Sequence, residues 1–295
     1  MKIYNLTTVE NEGFMGRLYT PETISKKSVI VLTGSDGGIK NADYLAGRFA
    51  ERGFNALSVA YYKIKGVSRN LIEVPVEYIE KAIVYLKEKT NCEKVAIYGI
   101  SKGGELSLLS ASLFKCIDCV VAVVPNYYVP SGFTKFTRLI GDRSSWSFRG
   151  KPLSFVSIDG KLSDIVKSCL RNGEANYTGL YKTATEVGIP EEAVIKVEKS
   201  HAAILCLSAS HDTIWQSMLA GEKIVERLKN IKYPYDFEHR CFEEVSHFLC
   251  PLPESYDKKL KFMFKIEKQL PDKCRESREK AFEMAANWIE KYNNA

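Results

Sequence analysis

The chain has 295 residues, of which 45% are hydrophobic and 26% are charged. These proportions are ordinary for a globular protein and exclude disordered, fibrous and disulfide-scaffold chains. The net charge of +6 is spread along the sequence without a long basic block. This pattern argues against a dedicated nucleic-acid-binding protein, although a mild positive field would favour an anionic small substrate.

The amino-terminal segment and the apolar runs indicate where the protein is located. The opening residues, MKIYNLTTVENEG, lack the basic and apolar regions of a secretory signal. No apolar run reaches the roughly 18 residues that a membrane helix needs. We therefore expect a cytoplasmic protein without a membrane partner, with its eight cysteines reduced. The CxxC at Cys116 and Cys119 has no second CxxC or paired histidine, so we expect it to pack rather than bind zinc.

Apolar strands alternate with amphipathic helices along most of the chain. In chain order we predict strand Val29–Thr33, helix Asn41–Arg52, strand Asn55–Ala60, helix Val76–Glu88, strand Lys94–Tyr98, helix Lys102–Phe114, strand Cys119–Val124, strand Ala203–Leu207, helix Trp215–Leu228, strand Phe237–Phe242 and helix Arg275–Tyr292. This alternation predicts an α/β fold with a mostly parallel sheet and helices on both faces. The segment Glu12–Tyr19 is typical of one arm of an antiparallel hairpin, so we expect an antiparallel N-terminal edge.

The alternation breaks between Val124 and Ala203. This stretch contains several glycines and aromatic residues but shows no strong periodicity. A long insertion without its own pattern is usually a lid or a binding loop. We therefore predict one domain over residues 1–295, in which Asn126–His201 forms a lid that sets substrate specificity.

The segment from Gly99 to Gly103 follows a predicted strand and opens a predicted helix. It has the GxSxG pattern of a nucleophile elbow in the required strand–turn–helix context. The strained turn leaves no room for side chains two positions either side of Ser101, and the helix N-terminus favours a developing oxyanion. We predict Ser101 as a nucleophile; the alternative is a glycine-rich turn with an incidental serine.

A serine at neutral pH needs a base that is oriented by a carboxylate, and in this fold both follow the serine in the chain. His247 lies just beyond the last predicted strand, so we predict it as the base. Asp212 follows the preceding strand, and we predict it as the acid, a role compatible with capping the next helix. His239 lies within a strand, His201 precedes one, and His211 flanks the acid, so we expect none of them to catalyse.

Two backbone N–H groups are expected to form an oxyanion hole. One comes from Lys102, directly after the nucleophile, and we choose Ser35 in the loop Thr33–Gly38 as the second. That loop lacks the GxxxxGK[ST] spacing of a phosphate loop. Glu105, in the first turn of the helix, is expected to be a favourable carboxylate at a helix N-terminus. Chemistry of this kind requires neither a metal nor a redox cofactor.

The segment Gly99–Leu106 resembles the elbow of the acyl-CoA thioesterases related to bile acid-CoA:amino acid N-acyltransferase. The similarity extends to the loop Leu32–Ile39, the strand Phe54–Tyr62, the acid region Ile195–Gln216, the histidine region Val245–Pro253 and a final helix with Arg278, Ala281 and Trp288. This resemblance implies an α/β-hydrolase fold of the dienelactone-hydrolase-like superfamily. It also implies a triad of Ser101, Asp212 and His247 that acts on an acyl thioester or a related ester.

The nucleophile separates the chain from some members of the family, and two other features depart from the family pattern. Ser101 stands where the conjugating members have cysteine, which favours water over an amine as the acceptor. Asp36 stands where the family loop usually has glycine, so we expect a carboxylate near the oxyanion hole. Only about 28 residues precede Val29, too few for the N-terminal β-domain of longer members.

The sequence therefore predicts a serine hydrolase that cleaves an acyl thioester or a carboxylic ester. Three alternatives stay open: an acyl-CoA:amino acid N-acyltransferase, a peptidase of the prolyl-oligopeptidase branch, and a non-catalytic binding protein on the same fold. The acyl chain, the leaving group and the oligomeric state are not predicted.

Overall fold

The strands predicted from the sequence pair into one large sheet. The structure, a computed structural model, describes residues 1–134, 139–158, 160 and 162–293. Within these residues the sheet has eight strands: β1 (Lys2–Ile3), β2 (Met15–Thr20), β3 (Ser28–Leu32), β4 (Asn55–Ala60), β5 (Ala96–Ile100), β6 (Cys119–Val123), β7 (Ala203–Ala209) and β8 (Phe237–Phe242). Their order is β1-β2-β4-β3-β5-β6-β7-β8. Strand β2 pairs antiparallel with β1 and β4, and β3 to β8 are parallel, which confirms the predicted sheet.

Helices cover both faces of this sheet, as predicted. In the described part of the chain they are α1 (Lys40–Glu51), α2 (Glu77–Thr90), α3 (Lys102–Leu113), α4 (Ser217–Asn230) and α5 (Pro271–Asn293). Successive strand residues point to opposite faces. Ile30 and Leu32 therefore belong to the same buried cluster as apolar residues of α2, α3 and α4, whereas Val29 and Val31 belong to the cluster that includes α1 and α5.

Several boundaries differ from the prediction by one to four residues, and the two that follow have identifiable reasons. Strand β5 reaches Ile100, two residues beyond the predicted end, because Ile100 still pairs with Val123 of β6. Helix α5 begins at Pro271, before the predicted Arg275. Proline is well tolerated in the first helical turn, where its missing N–H would have no intrahelical acceptor.

The insertion between β6 and β7 contains short regular elements that the sequence pattern did not predict. They are strands Ser131–Phe133, Leu139–Ser144, Trp146–Phe148 and Lys151–Pro152, helices Leu162–Asn172 and Thr178–Val187, and 3₁₀ turns Glu191–Ala193 and Val197–Lys199. Trp146–Phe148 pairs with Val74–Pro75, so residues distant in sequence form this small sheet. Residues 135–138, 159 and 161 of the predicted lid lie outside the described residues.

The two cysteines of the CxxC motif have different surroundings. Cys119 is buried in β6, as expected, but Cys116 is exposed in the turn before that strand. The expectation that the motif packs therefore holds for Cys119 and not for Cys116, because the connection from α3 to β6 runs over the surface.

None of the helices in the described residues combines the length and apolarity that crossing a bilayer requires. The cytoplasmic location stays a prediction.

Candidate active site

Ser101 occupies a strained turn between β5 and α3. Its φ of 57° and ψ of −119° lie outside the regions that side-chain-bearing residues normally adopt. A Cβ on Gly99 would lie 2.1 Å from the carbonyl oxygen of Gly103, and one on Gly103 would lie 2.6 Å from that of Thr33. The two glycines are therefore required by close backbone approach, which explains the spacing of the motif.

Three polar side chains meet at the carboxyl ends of the parallel strands. His247 Nε2 lies 2.9 Å from Ser101 Oγ, and His247 Nδ1 lies 2.8 Å from Asp212 Oδ2. All three residues are buried. When Nδ1–H donates to the carboxylate, Nε2 is left to accept a hydrogen bond from the serine hydroxyl. The structure thus brings together the three side chains that the sequence predicted, in the order required for proton transfer.

The Asp212 carboxylate is held from its other side. Its Oδ1 accepts hydrogen bonds from the backbone N–H groups of Ile214, at 3.0 Å, and Trp215, at 3.2 Å. These bonds leave Oδ2 for the imidazole of His247. Because α4 begins only at Ser217, Asp212 caps the turn before the helix and not the helix itself, which corrects the predicted helix boundary at Trp215.

Trp215 is a neighbour of the site that sequence reasoning missed. Its ring lies 4.8 Å from the His247 ring in an edge-on arrangement, and its Nε1 donates to the Val124 carbonyl oxygen at 3.1 Å. Val124 has a φ of 42°, unusual for a β-branched residue. The sequence held one indication of this contact, because Trp215 lies only three residues after the predicted acid. Its ring limits the orientations open to the imidazole.

Two tyrosines after β4 anchor the loop that faces the nucleophile. The Tyr61 hydroxyl donates to the Thr33 carbonyl oxygen at 2.5 Å, and the Tyr62 hydroxyl donates to that of Ser35. Burial raises the pKa of both phenols, so they stay protonated and can donate. A Cβ on Gly34 would lie 3.2 Å from Ser101 Oγ. The loop backbone therefore approaches the nucleophile closely, and Ser35 follows directly at the surface.

The side chain of Lys102 is buried in a network that the sequence did not predict. Its Nζ donates to both carboxylate oxygens of Glu105 at 3.0 Å and to Ser145 Oγ at 2.9 Å. The Nε1 of Trp146 donates to the same carboxylate at 2.5 Å. Burial lowers the pKa of Lys102 and raises that of Glu105, while each charge partly offsets the shift of the other. Glu105 is thus more than the helix-terminal carboxylate expected from its position: it connects the elbow to the insertion.

A second buried ion pair supports the loop that bears His247. Arg278 Nη1 donates to the two carboxylate oxygens of Glu267 at 2.7 and 2.8 Å. Ser246 Oγ donates to Glu267 Oε1 at 2.6 Å. Because Ser246 directly precedes His247, this pair ties the histidine loop to α5.

A small cavity of about 60 Å³ adjoins the nucleophile. Its lining includes Ser35, Asp36, Asn41, Leu45, Ile100, Ser101, His247, Phe248, Cys250 and Leu252. Asp36 Oδ2 accepts a hydrogen bond from Asn41 Nδ2 at 2.6 Å, and Asn41 Oδ1 accepts one from the Tyr256 hydroxyl at 2.9 Å. Burial raises the pKa of the Asp36 carboxyl. The expected carboxylate near Ser101 is therefore part of the cavity wall.

The remaining histidines are not part of the hydrogen-bonded group of Ser101, His247 and Asp212 in the described residues. His239 Nε2 lies 2.7 Å from Ser208 Oγ, between β8 and β7, whereas His201 and His211 are exposed. Over residues 1–134, 139–158, 160 and 162–293, no group of three His, Cys, Asp or Glu side chains is arranged to hold a metal ion.

Sequence comparisons relate the chain to acyl-CoA thioesterases. Residues 74–253 match the family described as "BAAT / Acyl-CoA thioester hydrolase C terminal". Human acyl-coenzyme A thioesterase 1 is 25% identical over 235 residues, which cover 78% of this chain and 51% of the relative. Mouse acyl-coenzyme A thioesterase 1 is 28% identical over 211 residues, covering 71% and 45%. The chain spans about half the length of these curated relatives.

Solved structures identify the fold. A putative dienelactone hydrolase from Klebsiella pneumoniae aligns with a TM-score of 0.58 at 14% identity, covering 99% of this chain and 100% of that one. A Pyrobaculum calidifontis esterase aligns with a TM-score of 0.57 at 15% identity, covering 98% and 85%. The fold is that of the α/β hydrolases, as the resemblance implied. Because the family match includes more than half of its residues, the protein belongs to the BAAT / Acyl-CoA thioester hydrolase C-terminal family.

Proposed function

We propose that the protein is a serine hydrolase that cleaves an acyl thioester of the coenzyme A type or a related carboxylic ester. The observation that supports this most strongly is the hydrogen-bonded series from Ser101 through His247 to Asp212 at a strained nucleophile elbow. The names of the related thioesterases favour a thioester as the substrate. Since the chain aligns with only part of those proteins, the substrate is proposed from the site and the family together.

In the first half-reaction Ser101 Oγ attacks the acyl carbonyl carbon while His247 Nε2 accepts the hydroxyl proton. The Asp212 carboxylate stabilises the resulting imidazolium. The N–H groups of Lys102 and Ser35 are proposed to hold the tetrahedral oxyanion, aided by the N-terminus of α3. Collapse of this intermediate breaks the bond to the leaving thiol or alcohol, which takes the proton back from the imidazolium.

In the second half-reaction water attacks the acyl-serine ester. His247 accepts a proton from the water, and collapse of the second oxyanion returns that proton to Ser101 Oγ. The acid is released and the enzyme is restored. Side chains and water complete this cycle, so the proposal includes no metal or redox cofactor.

We also propose that residues 1–295 form one domain and that Asn126–His201 serves as its lid. Two contacts support this proposal. Ser145 and Trp146 bind the Lys102–Glu105 pair beside the elbow, and Tyr181 packs against Trp215 with the ring centres 5.5 Å apart. The insertion is therefore in contact with the residues that flank both the nucleophile and the base.

The proposed activity is tested with acyl-CoA thioesters of increasing chain length and with p-nitrophenyl esters. Released thiol or phenol is measured with and without glycine or taurine, and the products are identified by mass spectrometry. We expect free acid in every productive reaction. An amine conjugate would instead indicate acyl transfer, and a complete lack of turnover across both panels would contradict an enzyme of this class.

Asp36 should discriminate against acyl groups that end in a carboxylate. Replacing Asp36 with asparagine removes the cavity charge but keeps an oxygen that can accept from Asn41. We expect kcat/KM for succinyl-CoA to rise about tenfold relative to butyryl-CoA. Because burial raises the pKa of Asp36, the wild-type discrimination should also weaken as the pH falls through that raised value and the carboxyl gains a proton. An unchanged ratio of the two substrates in the variant would show that the carboxylate does not face the acyl group.

A further inference from the structure

A loop of concentrated positive charge follows β4. We refer to residues Lys63–Arg69 as the basic loop. It contains Lys63, Lys65 and Arg69 and no acidic residue. It begins at the carboxyl end of a parallel strand, the edge of the sheet where ligands of open α/β folds bind. The side chains of all three basic residues are exposed.

The basic loop is a compact turn. The N–H of Lys63 donates to the Ser68 carbonyl oxygen at 2.7 Å, and the N–H of Val67 donates to that of Ile64 at 3.3 Å. Gly66 has a φ of 104°, and a Cβ there would lie 2.6 Å from Met15 Cε. The backbone is thus fixed at both ends of the turn, and a depression of about 440 Å³ is lined by Lys63, Ile64, Lys65, Gly66, Val67 and Arg69.

The basic loop is in direct contact with the loop Thr33–Gly38. Lys63 Nζ donates to the Asp36 carbonyl oxygen at 2.8 Å, and the N–H of Gly38 donates to the Tyr62 carbonyl oxygen at 3.0 Å. Asp36 also borders the cavity of the nucleophile. The charged depression therefore lies beside the reaction site and outside its cavity, on the same edge of the sheet.

Lys63 is bound to the neighbouring loop, whereas Lys65 and Arg69 have no hydrogen bond or ion pair from their side chains to the described residues. In the described parts of the chain, none of the three basic residues forms an ion pair, whereas Arg143 and Arg227 each pair with glutamates. Burial raises the pKa of the Asp36 carboxyl in the neighbouring loop, while the charge of Lys63 acts to lower it, so the two charges partly offset each other. Unpaired cations grouped beside a reaction site attract an anionic part of the substrate. Arginine and lysine are also the side chains that bind phosphate groups most readily.

We propose that the basic loop binds the phosphate groups of the coenzyme A leaving group. This inference rests on the proposed thioesterase function. The pantetheine arm separates the phosphates of coenzyme A from its sulfur, so a phosphate site must lie away from Ser101 but along the same edge. These contacts are unchanged when the acyl carbon becomes tetrahedral, so they lower KM and leave kcat unaffected.

The test compares two thioesters with the same acyl group, butyryl-CoA and butyryl-N-acetylcysteamine, which lacks the phosphates. Lys65→Glu and Arg69→Glu reverse one charge each without touching the catalytic residues. Lys115→Glu is the matched control, because Lys115 is exposed between α3 and β6 at the opposite edge of the sheet. We expect each loop variant to raise KM for butyryl-CoA by about three- to tenfold, with the effect shrinking as salt is added. KM for the truncated thioester and kcat for both should stay unchanged.

Two outcomes separate this inference from the proposed function. Equal changes for both thioesters, or a KM for butyryl-CoA no higher than in Lys115→Glu, would overturn the phosphate site while hydrolysis itself continues. If the wild-type protein cleaves neither thioester, the result contradicts the proposed thioesterase function, and the phosphate site that rests on it falls as well. Butyryl-3′-dephospho-CoA then shows which phosphate the basic loop contacts. If the loop variants raise KM for this substrate as much as for butyryl-CoA, the contact is with the pyrophosphate. If they no longer raise KM, the contact is with the 3′-phosphate.

Discussion

Replacing Ser101 with alanine is expected to lower kcat for thioester hydrolysis by at least about 10⁴-fold. The substitution removes the atom that attacks the acyl carbon and leaves only substrate binding and the oxyanion contacts. Asp212→Asn should cost about 10⁴-fold, because the imidazole would lose the partner that fixes its tautomer. The measurement is single-turnover release of thiol from a saturating acyl-CoA.

A serine and a histidine outside the proposed triad provide the controls for these two substitutions. Ser112→Ala, at the far end of α3, and His211→Ala, whose exposed side chain precedes Asp212 in the chain, should leave kcat within about twofold, since neither side chain is hydrogen-bonded to Ser101, His247 or Asp212. The double variant Ser101→Ala/His247→Ala should be no slower than Ser101→Ala alone, because the two groups act as a unit. Effects that multiply in the double variant would mean that Ser101 and His247 act independently.

Glu105→Gln is expected to destabilise the protein by about 3 to 5 kcal/mol. The Lys102 ammonium is then buried without a counter-charge, although the amide oxygen can still accept from Trp146. For a chain of this length the unfolding midpoint should fall by roughly 5 to 8 °C. Adding Lys102→Met should restore part of the lost stability, because no uncompensated charge is left in the interior. Thermal unfolding followed by circular dichroism gives both values.

A matched exposed pair provides the control for this prediction. Glu276 pairs with Lys280 on the surface of α5 at 2.7 Å, with both side chains more than half exposed. Glu276→Gln should change the free energy of unfolding by no more than about 0.5 kcal/mol. If Glu105→Gln lowered the free energy of unfolding no more than Glu276→Gln does, the result would contradict a stabilising role for the buried pair between the elbow and the insertion.

The sheet could be predicted from sequence because its signals are local. Strands such as β3 and β6 are short apolar runs, and the helices between them have an apolar stripe at helical spacing. The insertion could not be predicted in the same way. Its strand Trp146–Phe148 pairs with Val74–Pro75, and a pairing between residues so far apart leaves no periodic pattern in either segment.

The same distinction applies to the candidate site. Ser101, Asp212 and His247 could be chosen because each follows a strand and the chain order of the three is fixed by the fold. The contacts of Trp146 with Glu105 could not be anticipated, because they depend on how the insertion folds over the elbow. The position of Lys102 predicted only its backbone N–H, since the long side chain of a lysine is normally exposed.

The most direct test of the account is labelling with a fluorophosphonate, followed by intact mass and peptide mapping. The reagent forms a stable phosphonyl ester only with a serine whose proton can pass to a neighbouring base. We predict one adduct per chain, on the peptide that contains Ser101, no adduct in Ser101→Ala and slow labelling in His247→Ala. A wild-type protein that resists labelling, or that is labelled at another residue while Ser101 stays free, would contradict the assignment of Ser101 as the nucleophile.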